Sequence, residues 1–133
     1  MQKSIDKIYY AAIYLRLSKE DGDLSSGEKK ESNSIANQRK LIEDYLSRNP
    51  EITLVQEFCD DGYTGANFDR PDFQRMMEQV KTGKINCIIV KDLSRFGRDY
   101  IDSGRYIEKI FPSLGIRFIA INDNYDSAQS QQV

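Results

Sequence analysis

Histidine is absent from all 133 residues, and that absence excludes more chemistry than any residue present. Ser-His-Asp and Cys-His machinery need an imidazole to carry the proton, and histidine is the commonest metal ligand. Catalysis by this chain must run on other groups. Cysteine is scarce: Cys59 and Cys87 stand alone in apolar, strand-like contexts. That pattern indicates neither a disulfide framework nor a zinc site, and both thiols are expected in the core. Long apolar runs are missing too. Nothing approaches the roughly 18 residues that cross a bilayer, and the opening MQKSIDK lacks the apolar centre of a signal peptide. A cytoplasmic location, with no membrane partner, is expected. Basic charge is not in excess, since the formal net charge is -2, whereas a nucleic-acid binder usually carries a basic footprint. Position softens this objection. Acids crowd residues 19–32, while Arg16, Arg70, Arg95, Arg98 and Arg105 fall near predicted element ends, and local focusing can outweigh the sum.

What is present describes a folding sequence of one-domain size, with 39% hydrophobic and 30% charged residues. Residues 8–15 (IYYAAIYL) form a near-continuous apolar run with aromatic and β-branched members, the pattern of a strand covered on both faces. After Arg16-Leu17-Ser18, residues 19–32 are polar and aperiodic and read as a mobile loop. Ser32 or Ser34 then caps a helix over residues 35–48, with Ile35, Gln38, Leu41, Ile42, Tyr45 and Leu46 at helical spacing. A strand is predicted over 52–59, followed by the loop DDGYTGANFDR. Next comes a helix with Pro71 in its first turn, Asp69 or Arg70 as cap, and Gly83 at its end. Phe73, Met76, Met77 and Val80 form its core face. A short strand over 86–90 precedes KDLSRFGRD. A helix over 101–114 follows, shortened or kinked by Pro112, and then the strand IRFIAI. The order βαβαβαβ implies an α/β domain with a largely parallel sheet. In such sheets function gathers beyond the carboxyl ends of the strands, where Arg16-Ser18, DDGYTG and KDLSRFGR all fall.

The chemistry-bearing residues each have a plain alternative. Ser18 alone reads first as a turn or cap residue, the usual role of a serine after a strand. Arg16, two positions earlier on an extended strand, shares its side and sets a cation beside a hydroxyl. Phosphoryl transfer uses such a pair, because the non-bridging oxygens gain charge in the transition state and guanidinium forks bind them bidentately. Arg95 and Arg98 share a face if their turn is helical, and serve equally as a solvated surface pair. Arg70 serves equally as a salt-bridge partner of Asp69 or Asp72. Gln38, polar on an apolar stripe, reads as an exposed or bonded amide or as one reaching a polar cleft.

Together these segments resemble the serine recombinase (resolvase/invertase) family, especially the large serine recombinases of mobile elements. The matching residues are YLRLS with Arg16 and Ser18, NSIANQRKLI with Gln38, FCDDGYTGANFDRPDF with Asp60, Gly65 and Arg70, and VKDLSRFGRD with Arg95 and Arg98. The resemblance spans about residues 8–125, in four ordered motifs. It implies a resolvase-like three-layer domain with a central sheet flanked by helices, over residues 1–133 as one catalytic domain. It also implies that Ser18 attacks a DNA phosphodiester to form a 5'-phosphoserine link and a 3'-hydroxyl, without metal or cofactor. Arg16, Arg70, Arg95 and Arg98 then stabilise charge, with Gln38, Asp60 and Ser94 in support and the general base unassigned. Many small resolvases carry aspartate where Ser94 stands, which suits Ser94 as a helix cap rather than an acid-base group. The implied partners are double-stranded DNA recombination sites and further copies of the protein, in a bacterial, nucleoid-associated setting. The polar ending NDNYDSAQSQQV reads as a truncation ahead of the oligomerisation helix and DNA-binding domains, so the isolated domain is not expected to be fully active. Two rivals remain: a phosphatase or nucleotide-handling enzyme, which here lacks a P-loop and a Mg²⁺ aspartate cluster, and a catalytically silent docking module.

Overall fold

The computed structural model describes residues 8–17, 27–61, 70–96 and 100–128. Five strands form one sheet in the order β2-β1-β3-β4-β5: β1 (Tyr9–Leu17), β2 (Ile52–Asp61), β3 (Cys87–Val90), β4 (Arg117–Ala120) and β5 (Tyr125–Asp126). The first four are mutually parallel, and β5 adds antiparallel to β4. The chain steps one way from β1 to β2 and then back across to β3 and β4. With crossovers of uniform hand, that reversal sends successive helices to opposite faces. One face carries α1 (Gly27–Ser47), whose Ile35, Ile42, Tyr45 and Leu46 meet Ala11, Ile13, Leu15, Cys87, Ile89 and Ile119. The other carries α2 (Pro71–Lys81) and the run from α3 (Leu93–Phe96) to α5 (Phe111–Leu114), packed on Ala12, Tyr14, Phe58, Ile88, Val90 and Phe118. The three-layer, largely parallel α/β architecture expected from the sequence is therefore present.

One irregularity in β2 positions the site. Ala11 pairs with Leu54 but Ala12 pairs with Gln56, so Val55 is an extra residue, a bulge on the edge strand. Side chains alternate across a sheet, and a one-residue shift exchanges its faces. The bulge thereby puts Phe58 and Asp60 on the α2 face, opposite Tyr14 and Arg16. Without it Cys59 would face Arg16.

Several sequence expectations need correction. Helix α1 begins at Gly27, so residues 27–32 are helical rather than loop, and Ser32 and Ser34 lie inside the helix instead of capping it. Residues 28–31 (EKKE) are good helix formers without an apolar stripe to reveal them. The remainder of the expected loop, 19–26, lies outside the described residues. Helix α2 takes Arg70 as its cap position, yet no side chain of Arg70 caps it; the function passes to Asp60, described below. Its other end closes as expected at Gly83, with φ 87, where Gly83 N–H bonds the Val80 carbonyl and Lys84 N–H that of Gln79. The predicted 101–114 helix is instead α4 (Tyr100–Arg105), a π turn (Tyr106–Ile110) and α5. Pro112 has no N–H and its ring crowds the carbonyl four residues back. The helix widens just ahead of it, with Phe111 N–H reaching the Tyr106 carbonyl.

Candidate active site

The parallel strands deliver their carboxyl ends to one edge, and four of the expected site residues meet there. Arg16 lies near the end of β1, 0% exposed, beside its register partner Asp60 on β2. Strand β1 runs beyond Ile13, its last residue paired with β3. At Arg16 the Gln38 side chain acts as a neighbouring strand would: Nε2 donates to the Arg16 carbonyl at 3.1 Å, and Oε1 accepts Arg16 N–H at 3.4 Å. Gln38 thus reaches inward, as its place on the α1 stripe suggests, but it binds backbone. It fixes the strand end from which the chain continues to Ser18.

Asp60 is the hub of the cluster. Its Oδ2 accepts the Tyr14 hydroxyl at 2.8 Å and Phe73 N–H at 3.0 Å, and its Oδ1 accepts Asp72 N–H at 3.0 Å. Pro71 has no N–H, so Asp60, on the same face of the sheet, satisfies the first available amides of α2, as an N-cap would. Asp72 reciprocates, its Oδ2 accepting Cys59 N–H at 2.8 Å. This two-way clasp sets where Arg70 stands.

Arg70 is 1% exposed. Its Nη2 donates to the Phe96 carbonyl at 2.9 Å, and its guanidinium lies 5.6 Å from the Tyr14 ring centroid and 5.7 Å from that of Phe73. Burial pulls Arg70 below the ordinary guanidinium range, opposed by Tyr14 and Asp60. Burial likewise pushes the Tyr14 hydroxyl far above the usual tyrosine range, against the pull of Arg70, with the bond to Asp60 adding to the rise. Tyr14 is therefore a fixed donor at neutral pH rather than a proton acceptor. Counting Asp72 with its partner Arg75, the described residues of the cluster hold Arg16, Arg70 and Arg75 against Asp60 and Asp72, a balance of one positive charge that suits an anion.

Ser94 and Arg95 occupy backbone positions within α3, which begins at Leu93, three residues after β3, and is tied to Arg70 through Phe96; Ser94 is therefore inside the helix and not at the cap position expected of it. Ser18 and Arg98 lie outside the described residues, as does Gly65. Sequence reasoning missed two members. Tyr14 precedes Arg16 by two residues on a strand, which alone puts it on the same face. Asp72 reads from the sequence as a partner for Arg70, but its carboxylate holds Cys59 N–H and pairs with Arg75. The cysteines belong to the other face, and burial pushes the Cys87 thiol up to about 12. Among the described residues no group of three His, Cys, Asp or Glu could hold a metal ion, and no helix is long and apolar enough to cross a membrane.

Comparison with known proteins identifies the family and the fold. The family description "Resolvase, N terminal domain" matches residues 11–133. The fold is similar to the N-terminal catalytic domain of TP901-1 integrase, with a TM-score of 0.74 and 24% identity over 90% of this chain and 82% of that one. It is similar to a resolvase family site-specific recombinase from Streptococcus pneumoniae, with a TM-score of 0.71 and 26% identity over 92% of this chain and 78% of that one. The C-terminal catalytic domain of ISC1926 TnpA, an IS607-like serine recombinase, shares the fold at a TM-score of 0.65 and 18% identity, over 84% of this chain and 68% of that one. No curated protein sequence matches the chain closely enough to count as a relative. The chain belongs to the resolvase N-terminal domain family, and is a serine recombinase catalytic domain.

Proposed function

We propose that this domain cleaves and rejoins DNA through Ser18, in the site-specific recombination of a mobile element. The Ser18 Oγ attacks the scissile phosphorus, the bond to the 3'-oxygen breaks, and that oxygen leaves with a proton as a 3'-hydroxyl. The DNA 5'-phosphate remains esterified to Ser18. Attack by another 3'-hydroxyl reverses the steps, so bond energy is kept without a cofactor or metal. Arg16, Arg70, Arg95 and Arg98 stabilise the charge that develops on the phosphoryl oxygens. Gln38 and Asp60 position Arg16 and Arg70, and Ser94 supports the site from within α3, beside Arg95. The partners are duplex recombination sites and further copies of the protein, in a bacterial cytoplasm. Strand exchange draws on segments outside the catalytic domain.

The observation that carries this reading is the meeting of Arg16 and Arg70 around Asp60 at the strand end that continues into Ser18. The test uses the protein at its full genomic length, incubated with supercoiled DNA carrying the sequences that flank its gene. A covalent protein–DNA adduct should form, insensitive to EDTA, with the modification mapped by mass spectrometry to Ser18. Cleavage that persists in Ser18→Ala would remove the nucleophile from this assignment. Loss of cleavage on chelation would replace the metal-free chemistry.

A further inference from the structure

We propose that Asp123 is a positioning residue that holds the start of α3 and thereby places Arg95; the inference rests on the functional reading above. Helix α3 has four residues, too few to be stable through its own hydrogen bonds. Its leading amides have no partner inside the helix and need one from outside. The turn that follows β4 supplies it. The Asp123 Oδ2 accepts Leu93 N–H at 2.7 Å, and Asn122 N–H donates to the Lys91 carbonyl at 2.8 Å. Residues 91–93, the passage from β3 into the arginine-bearing segment, are thus gripped from thirty positions away in the sequence.

The grip is itself anchored. Asn124 adopts φ 56 and its N–H closes the turn onto the Ile121 carbonyl at 3.0 Å. Immediately beyond it, Asp126 makes a two-pronged bond to Arg117, at 3.0 and 2.7 Å, that fastens β5 to β4. The far end of α3 is held by different means, with the Phe96 ring buried among Phe73, Tyr106, Phe111 and Phe118 and its carbonyl bound by Arg70. Asp123 is exposed, as are Asn122 and Asn124 beside it in the turn, whereas the Phe96 and Arg70 supports are buried. Loss of Asp123 should disturb the placement of α3 without emptying the core.

The experiment compares wild type, Asp123→Ala and Asp123→Asn in the full-length protein, by amide hydrogen exchange and by single-turnover adduct formation on the flanking-sequence DNA. In Asp123→Ala the Leu93 amide should exchange at least about tenfold faster. Adduct formation should fall about tenfold to a hundredfold, as for a misplaced catalytic group, while DNA retention stays within twofold. Asp123→Asn keeps an acceptor and should restore both. Wild-type exchange at Leu93 in Asp123→Ala overturns the grip, and a wild-type adduct rate overturns its catalytic consequence. A wild-type protein that forms no Ser18 adduct removes the functional reading instead, and the exchange result then still decides whether Asp123 holds α3.

Discussion

At the scale of single residues, Asp60 carries the most consequence per atom. Its carboxylate serves the Tyr14 hydroxyl and two α2 amides and is the counter-charge beside Arg70. Asp60→Ala leaves the buried Tyr14 hydroxyl and two α2 amides without this acceptor and removes a negative charge that opposes the cost of burying Arg70, and should cost about 3 kcal/mol or more in urea denaturation. Tyr14→Phe removes one donor while the amides still bind Asp60, and should cost about 1 kcal/mol. Equal losses in the two variants would deny Asp60 its place as hub. The Arg39–Glu57 pair gives a contrasting case. Its two bonds are 2.9 and 2.8 Å, but the side chains keep 40% and 34% of their exposure. The bond to Arg39 holds Glu57 below its usual 4.5, so its stabilisation is present above that pH and is lost as pH falls through the lower folded value. Glu57→Gln should cost less than about 1 kcal/mol at pH 7 and flatten stability on the acid side of pH 4.5. A chemical-denaturation series across pH that kept its acid-side slope in the variant would assign that slope to other carboxylates. At this scale the sequence made Arg16, Gln38 and Arg70 legible as polar residues in suspicious places. It did not reveal Tyr14, because a tyrosine in an apolar strand is indistinguishable from core until its hydroxyl finds a carboxylate.

At the scale of elements, the strands and helices were readable wherever apolar residues kept a period, and unreadable where hydrogen bonding set the structure. The α2 stripe of Phe73, Met76, Met77 and Val80 is buried as its spacing requires. The first turns of α1 carry no such stripe, and the π turn at Tyr106–Ile110 depends on how the backbone accommodates Pro112. The β2 bulge was equally hidden, since ITLVQEFC gives no sign of where alternation changes phase. Its effect on the site is nonetheless large, because Val55 decides which face receives Asp60. Deleting Val55 should force a choice between moving Phe58 and Asp60 to the α1 face and slipping Ile52 out of its own cluster. Either route discards core burial or the Asp60 network and should cost at least about 3 kcal/mol. Val55→Ala keeps the register and, with Val55 exposed, should change stability by less than about 1 kcal/mol. Similar denaturation midpoints for the deletion and Val55→Ala would show that the bulge does not set the faces.

At the scale of the whole molecule, the site proposed to receive a DNA phosphate is lined by guanidiniums that water barely reaches. Arg16 and Arg70 are 0% and 1% exposed, whereas the side chains of Arg48 and Arg75 retain 61% and 68%. Acidic overall balance and a cationic site are compatible for the same reason. The Arg16 and Arg70 charges are enclosed at one sheet edge, so these two contribute little to the outer surface. Under the proposed function a phosphate would meet these forks only by displacing the atoms that cover them, so that reading requires the carboxyl edge to open before chemistry. Chemical modification reads that step directly. With phenylglyoxal acting on the free protein, Arg16 and Arg70 should react on the order of tenfold or more slowly than Arg48 and Arg75, because reagent must await local opening. Mild urea, below the unfolding transition, should narrow the gap. Asp60→Asn should narrow it too, since it weakens the grip on the start of α2 without removing every acceptor. Arg16 and Arg70 reacting as fast as Arg48 and Arg75 in the untreated protein would mean that the site stands open in solution, and an opening step would no longer be required before DNA engages.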